Sequence, residues 1–97
     1  MKNQFEIKNI NKAIITLKAI NHKFRKDILK LIESKKEITV SEIYRELKME
    51  QSIVSQHLSL LRKYEIVTSE KTGRFVKYRV NNKKIQHIKL KVEELLK

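Results

Sequence analysis

The feature that most constrains this fold is an amphipathic stretch at residues 51–64, QSIVSQHLSLLRKY, which follows a short polar turn. At 100° per residue, Val54, Leu58 and Leu61 fall within about 60° of one another and form an apolar stripe. Short polar side chains and one lysine cover the opposite side: Ser52, Ser55, Gln56, Ser59 and Lys63. This spacing predicts a helix with one face in a core and the other free for a polar partner.

The polar face of residues 51–64 carries hydroxyls, amides and a lysine but no acid. These groups hydrogen-bond to base edges and phosphates, whereas an ordinary solvated helix mixes Glu with Lys. We interpret the segment as a DNA recognition helix, with a Ser-rich surface helix as the alternative. The side chains proposed to read bases are Gln51, Ser52, Ser55, Gln56 and Ser59. Among them, Gln56 can pair bidentately with adenine.

The residues before this helix predict its partner in a helix-turn-helix. Residues 38–40 are β-branched and read as a short strand, and Ser41 is a candidate N-cap with Glu42 in the first turn of a helix ending near residue 47. Residues 48–50 then leave just enough chain for a tight turn. The two helices must therefore cross.

The residues after the recognition helix predict a β-hairpin. Residues 66–70 and 74–81 have the composition and alternation of strands. The connecting residues 71–73 end in Gly73, the single glycine of the chain, where a hairpin needs a positive φ. This hairpin is the wing of a winged helix-turn-helix.

Charge points to a polyanionic partner. The chain has 23 Lys and Arg against 11 Asp and Glu, for a net charge of +12, and residues 71–84 hold six cations and no acid. Double-stranded DNA is the first candidate partner, and an anionic membrane surface is the second. The cations of the hairpin and its exit are Lys71, Arg74, Lys77, Arg79, Lys83 and Lys84. For phosphate contacts we select Lys63, Lys71, Arg74 and Lys77.

Two terminal helices carry matching apolar stripes. A helix at residues 5–20 and one at residues 84–96 both repeat apolar residues at i, i+3, i+7 and i+10. These are Ile7, Ile10, Ile14 and Leu17 in the first helix and Ile85, Ile88, Val92 and Leu95 in the last. A third helix at residues 23–34 supplies core residues. Because the winged core does not require both terminal helices, we predict that they form a homodimer interface; packing back onto their own domain is the alternative.

Composition excludes several other classes of protein. We treat residues 1–97 as a single domain, because no Pro- or Gly-rich linker divides them. The chain has no cysteine, the histidines His22, His57 and His87 lack ligand spacing, and neither a cofactor nor a metal is expected. His57 is expected to pack at the core edge rather than to read a base or sense pH. No catalytic constellation or long apolar run is present, so we expect a cytoplasmic protein that is not an enzyme and does not act at a membrane.

The segments VSQHLSLLRKYEIV and GRFVKYRVN, in this order of elements, resemble the ArsR-type winged-helix repressors of bacteria. The resemblance extends from about residue 23 to residue 96. It implies a mainly α fold with a small β-wing (α+β), dimers formed through the first and last helices, and binding to dyad-symmetric operators.

This chain departs from the pattern of that family at its sensor positions. Thr39 and Ser41 stand where metal-sensing members carry cysteines, and hydroxyls are poor ligands for soft metals. At the positions of a second, zinc-binding set stand Asn82, Lys84 and Leu95. The resemblance therefore implies a member that senses neither metals nor thiols.

Two backbone positions also depart from the family. Lys48 and Glu65 replace glycines, so a left-handed conformation at either site costs about 1 kcal/mol. The function expected from these observations is a dimeric, sequence-specific transcriptional repressor that occupies its operator, with an unknown effector. The alternatives are a winged-helix module for protein–protein interaction and a DNA-binding protein of low specificity.

Overall fold

The structure is a computed structural model that describes the backbone of residues 4–96 and the side chains of residues 11–96. In chain order its elements are α1 (Gln4–Ile20), α2 (Lys23–Lys35), β1 (Ile38–Thr39), α3 (Val40–Leu47), α4 (Gln51–Lys63), β2 (Val67–Thr72), β3 (Phe75–Val80) and α5 (Asn82–Leu95). The prediction of a mainly α fold with a small β-wing is confirmed.

The core lies where α2, α3 and α4 meet the sheet. Its central side chains are almost completely buried: Ile28, Ile32, Ile38, Ile43, Val54, Leu58, Leu61, Ile66 and Val67. Burying an aliphatic side chain of this size stabilises a fold by about 1.5–3 kcal/mol. The predicted apolar stripe of α4 is therefore confirmed, and it fixes the rotation of that helix about its own axis.

Helix α3 begins earlier than the sequence predicted. Thr39, rather than Ser41, is the N-cap: its hydroxyl oxygen accepts a hydrogen bond from the Glu42 backbone N–H at 3.3 Å. The same hydroxyl donates to the Glu42 carboxylate at 3.0 Å. Thr39 is the N-cap because its extended backbone at the end of β1 already has the conformation that an N-cap requires. Val40 can then start the helix.

The turn between α3 and α4 depends on a strained residue. Lys48 adopts the left-handed conformation, with φ 53° and ψ 46°, and the Met49 N–H donates to the Tyr44 carbonyl at 3.1 Å to close the end of α3. Glu65 is also left-handed, with φ 61°. The two positions where the family resemblance placed glycine thus keep that geometry, at a cost of about 1 kcal/mol each.

The sheet has the order β1-β3-β2 and is antiparallel. Ile38 pairs with Tyr78, which ties the short β1 strand to the hairpin; the sequence did not predict this pairing. The hairpin turn is shifted relative to the prediction, because Lys71 and Thr72 continue β2 and pair with β3. Gly73 has the expected positive φ of 63°.

The terminal helices α1 and α5 pack against each other within the chain. Helix α5 begins two residues before the predicted start, because the Asn81 side chain accepts a hydrogen bond from the Lys84 N–H at 3.2 Å and caps the helix. Ile88 is buried in this contact, whereas Ile14 and Leu17 are about 40% exposed. Half-buried positions on α5 are Ile85, Val92 and Leu95. The side chains of Ile7 and Ile10 lie outside the described residues.

Candidate nucleic-acid interface

The polar face of α4 is presented to solvent as the sequence predicted. The side chains proposed as base readers are all exposed: Gln51, Ser52, Ser55, Gln56 and Ser59. Directly behind them, Val54, Leu58 and Leu61 are at most 1% exposed. The reading side chains are thus carried by a helix that cannot roll without opening the core.

Ile53 is a further exposed residue of α4 that the sequence did not single out. Its side chain is 39% exposed, and on the helical wheel it lies about 60° from Gln56, at the edge of the polar face. An aliphatic side chain at this place can contact a thymine methyl group in the major groove. Its helical-wheel position between the apolar stripe and the polar face was the only sequence feature that could have identified it.

An acidic residue lies at the N-terminus of α4. Glu50 is the N-cap residue, but its side chain makes no capping hydrogen bond. Its carboxylate interacts favourably with the positive end of the helix dipole, but the same negative charge repels an approaching phosphate. The amides of the first turn are therefore not capped by the Glu50 side chain.

The tip of the hairpin carries free cations. Lys71 and Arg74 are exposed, and neither takes part in an ion pair with any side chain in the described part of the chain. Phe75 is 57% exposed, because it pairs with Thr72 at the end of the ladder, next to the turn.

The base of the hairpin is different, because its cations are paired with Glu37. Lys77 Nζ lies 3.3 Å from one carboxylate oxygen of Glu37, and Arg79 donates to the other at 2.6 Å. The hydrogen bonds from Arg79 and Lys77 hold the pKa of Glu37 below its usual value. Lys77, predicted to contact phosphate, thus already has an anionic partner, although the pair is exposed enough for DNA to compete for it.

Two further lysines flank α4. Lys63 is exposed at the C-terminal end of the helix, with its ammonium 5.6 Å from the centre of the Tyr64 ring. The Lys84 side chain is only 21% exposed and lies 3.8 Å from the Glu65 carboxylate, at the junction of α4 and β2. Lys63 is therefore placed for phosphate contact, whereas Lys84 faces the junction.

Behind the reading face, His57 packs against a second histidine. The ring centres of His57 and His22 are 5.0 Å apart, and the Phe24 ring lies 6.1 Å from His57. His22 caps α2, since its Nδ1 accepts a hydrogen bond from the Phe24 N–H at 3.2 Å. Burial, followed by the charges of His22 and Arg25, lowers the pKa of His57. Packing at the core edge was predicted, but the contact between the two histidines left no signal in the sequence.

Metal ligands are not grouped in the part of the chain whose side chains the structure describes. Among residues 11–96, no three His, Cys, Asp or Glu side chains lie together as metal ligands would. The three positions where the family resemblance placed zinc ligands have different environments. Asn82 is exposed, Lys84 lies beside Glu65, and Leu95 is half-buried. Within the same range, no helix combines the length and hydropathy needed to cross a membrane.

Comparison with known proteins gives matches to regulators of transcription. Residues 22–69, which extend from the cap of α2 into β2, match the model of the bacterial regulatory protein, arsR family. The transcriptional activator HlyU of Vibrio cholerae serotype O1 is 33% identical over 79 residues, which are 81% of this chain and 72% of HlyU. An uncharacterised HTH-type transcriptional regulator of Methanocaldococcus jannaschii is 34% identical over 84 residues, 87% of this chain and 94% of that one.

Solved structures agree with these sequence matches. The transcriptional repressor PagR of Bacillus anthracis superimposes with a TM-score of 0.72 and 30% identity, over 87% of this chain and 97% of PagR. Reduced HlyU from Vibrio cholerae gives a TM-score of 0.72 and 32% identity, over 91% of this chain and 93% of HlyU. The similarity therefore includes the terminal helices and the wing as well as the helix-turn-helix.

Proposed function

Because the chain belongs to the arsR family of bacterial regulatory proteins, we propose that it binds double-stranded operator DNA in a sequence-specific manner, as a homodimer, and represses transcription. The family itself makes the chain a winged-helix transcriptional regulator of the same kind as HlyU and PagR. We further propose that residues 1–97 form one DNA-binding unit, which acts in the cytoplasm.

The observation that carries the proposal is the exposed polar face of α4, which holds no acid, together with hairpin-tip cations that form no ion pair within the described residues. A recognition helix in the major groove reads bases with its N-terminal and central residues. Gln56 offers the donor and acceptor pair that adenine requires, and the nearby serines adapt to several bases. Lys71 and Arg74 then supply backbone contacts that fix the register of α4 without reading sequence.

The surface beside α1 and α5 supports a homodimer. Leu17 and Ile20 of α1 and Ile85, Ile88 and Val92 of α5 line a mainly apolar groove of ≈ 450 Å³, and Lys89 and Glu93 of α5 complete its lining. The exposed Ile14 and Leu17 side chains extend this apolar surface along α1. A two-fold interface at this place allows two α4 helices to enter successive major grooves, one helical turn or about 34–36 Å apart.

Repression is the proposed sign of regulation because it needs the fewest contacts. Occupying an operator excludes other proteins from the promoter, whereas activation requires a further surface that engages the transcription machinery. Among the relatives, PagR is described as a repressor and HlyU as an activator. We also propose that the chain senses neither metals nor thiols, because it has no cysteine and carries Thr39 and Ser41 at the sensor positions.

Selection of random DNA duplexes by the purified protein at near-physiological salt, followed by sequencing, tests this function. The expected result is an enriched motif with two-fold symmetry and half-sites about 10 base pairs apart. Retention of DNA without enrichment would instead indicate a DNA-binding protein of low specificity. Absence of retention would favour the protein-interaction alternative.

Sedimentation of the protein at micromolar concentration tests the dimer separately. The expected mass is that of two chains, and Leu17→Glu is expected to shift it to one chain, because the new carboxylate would be buried in an apolar interface. Asn11→Glu, which makes the same change of charge on an exposed position of α1, serves as the matched control. A monomer mass for the unmodified protein would exclude the dimer.

A further inference from the structure

A second groove lies between α1 and α5, and it has the opposite character to the apolar one. Its rim consists of donors from both helices, namely Lys12, Lys84, His87 and Lys91, and no carboxylate lines it among the described side chains. Its volume is ≈ 220 Å³. Three lysines with one imidazole around a single concavity form a site for negative charge.

The floor of this basic groove is closed and mostly apolar. Ala13, Thr16 and Ile88 form it and are 8%, 2% and 4% exposed. The Thr16 hydroxyl donates to the Lys12 carbonyl at 2.8 Å, so its oxygen is left as an acceptor. Hydrogen bonds to an anion must therefore come from the lysines and His87, and a buried floor beneath them reduces the screening of their charge.

The lysines of the groove have only weak partners. Lys84 is 3.8 Å from Glu65, and Lys91 is 3.9 Å from Glu94, the next turn of its own helix. Both carboxylates are mostly exposed, and ion pairs of this length in water contribute little to stability. An oxyanion in the groove can contact several cations at once, and this gives it the advantage over either glutamate.

We propose that the basic groove binds a small free oxyanion with a phosphoryl or carboxylate group. The volume lies below the roughly 300–1,000 Å³ of pockets for drug-sized ligands, so the ligand is an inorganic anion or a metabolite of a few carbon atoms. Ile88 also lines the apolar groove, but the other residues of the two grooves differ. A second copy of the chain that covers the apolar groove would therefore contact a largely different set of side chains from those of the anion site.

Binding at this site reaches the DNA-reading region through Lys84. Lys84 is the third residue of α5, and its partner Glu65 is the left-handed residue between α4 and β2. An anion that engages Lys84 competes with Glu65 and so changes one of the contacts between the start of α5 and the end of the recognition helix; the hydrogen bond that the Asn81 side chain donates to the Glu65 carbonyl at 2.9 Å is another. This consequence rests on the proposed function, whereas the anion site itself does not.

Titration of inorganic phosphate into the isotope-labelled full chain, with chloride adjusted to keep ionic strength constant, tests the site by NMR. Saturable shifts are expected at the amides of Lys84, His87 and Lys91. Lys91→Gln is expected to weaken phosphate binding about 3–10-fold, the range for losing one partly exposed charge-assisted hydrogen bond. Lys26→Gln removes the same charge from an exposed position of α2 that lines neither groove, and its effect should stay below about 2-fold.

Citrate in place of phosphate tests whether a carboxylate source binds the same amides. A linear response without saturation, or equal weakening by Lys26→Gln, would overturn the site. Duplex DNA that shifts the groove amides and displaces phosphate would assign these lysines to the DNA backbone and also overturn it. Lys84→Gln is a second groove variant, and circular dichroism shows whether each variant folds.

The effect on DNA is then measured by fluorescence anisotropy with a selected duplex, with and without phosphate at constant ionic strength. Phosphate is expected to weaken DNA binding by the unmodified protein more than by the Lys84→Gln variant. Phosphate binding without any DNA binding would contradict the proposed function but leave the anion site standing. DNA binding with no phosphate binding would support the proposed function but overturn the anion site.

Discussion

The recognition helix and the β-hairpin both face the proposed DNA, but the protein holds them in different ways. Helix α4 is anchored by Val54, Leu58 and Leu61, which are at most 1% exposed, whereas residues 71–76 of the hairpin are exposed throughout. Hydrogen bonds to base edges demand fixed positions, while attraction to phosphate depends on charge and tolerates movement. We therefore expect α4 to provide specificity and the hairpin to provide affinity.

The hairpin is itself divided. At its tip, Arg74 is not engaged by any side chain in the described residues, but at its base Arg79 donates two hydrogen bonds to Glu37. A cation that already has a carboxylate partner gains less when it meets a phosphate, since that partner must be given up. The six cations of residues 71–84 therefore differ in what they contribute to DNA binding.

The largest expected effect comes from the reading face. Gln56→Ala should weaken binding to the best DNA site by roughly 1–3 kcal/mol and relax the preference at one base pair. Fluorescence anisotropy with the selected duplex and its single-base variants measures both effects. Gln86→Ala, an exposed glutamine on α5, is the control and should change neither. Equal losses on all sequences after Gln56→Ala would contradict the division of roles between helix and hairpin.

The next effect separates the tip of the hairpin from its base. Arg74→Ala should weaken binding to all sequences alike and lower the slope of log affinity against log salt by about 1. Arg79→Ala removes the same charge but should lower the slope by less, because Glu37 competes for Arg79. Salt titrations of both variants measure this difference. Identical slopes for the two variants would show that pairing with Glu37 does not restrict Arg79.

A smaller effect concerns the turn that positions α4. Lys48→Gly should raise the free energy of unfolding by about 0.5–1 kcal/mol, because glycine adopts the left-handed conformation without the steric cost of a Cβ. Lys35→Gly, in the last turn of α2, should instead lower it by a similar amount, about 0.5–1 kcal/mol. Urea denaturation measures both. A loss of stability in Lys48→Gly would mean that the lysine side chain contributes more than the backbone strain costs.

The smallest expected effect is on the pH dependence of folding stability, and it comes from His57 at the edge of the core side of α4. The pKa of His57 is lowered by burial, so between this pKa and the ordinary value of 6.5 the unfolded chain binds more protons than the folded one. The contribution of neutral His57 is therefore complete above pH 6.5 and declines as the pH falls through that window. His57→Phe should flatten the pH dependence of the urea midpoint between pH 7.5 and about 5.5. Parallel curves for the two proteins would exclude this role.

The sequence predicted the elements of the fold because each depends on short-range periodicity. The apolar stripe of α4, the short turn before it, and a hairpin closed by Gly73 follow from spacings of a few residues. Helix boundaries shifted where a local cap was misassigned, as with Thr39 in place of Ser41 and Asn81 at the start of α5, and the hairpin turn shifted because Lys71 and Thr72 continue β2. Exposure of the predicted base readers followed from the same stripe, since burying one face of a helix presents the other.

Tertiary structure alone decided which charged and polar groups meet. Glu37 reaches Lys77 and Arg79 across 40 and 42 positions because β1 pairs with β3 in a particular register. His22 meets His57, and Lys12 meets Lys91 across the basic groove, only after the helices have packed. Long-range contacts of this kind are set by how several elements pack together, and no local pattern encodes them. The sequence by itself determined which face of α4 is polar and exposed, and the packing decided which cations of the hairpin are paired with an acid in the described residues.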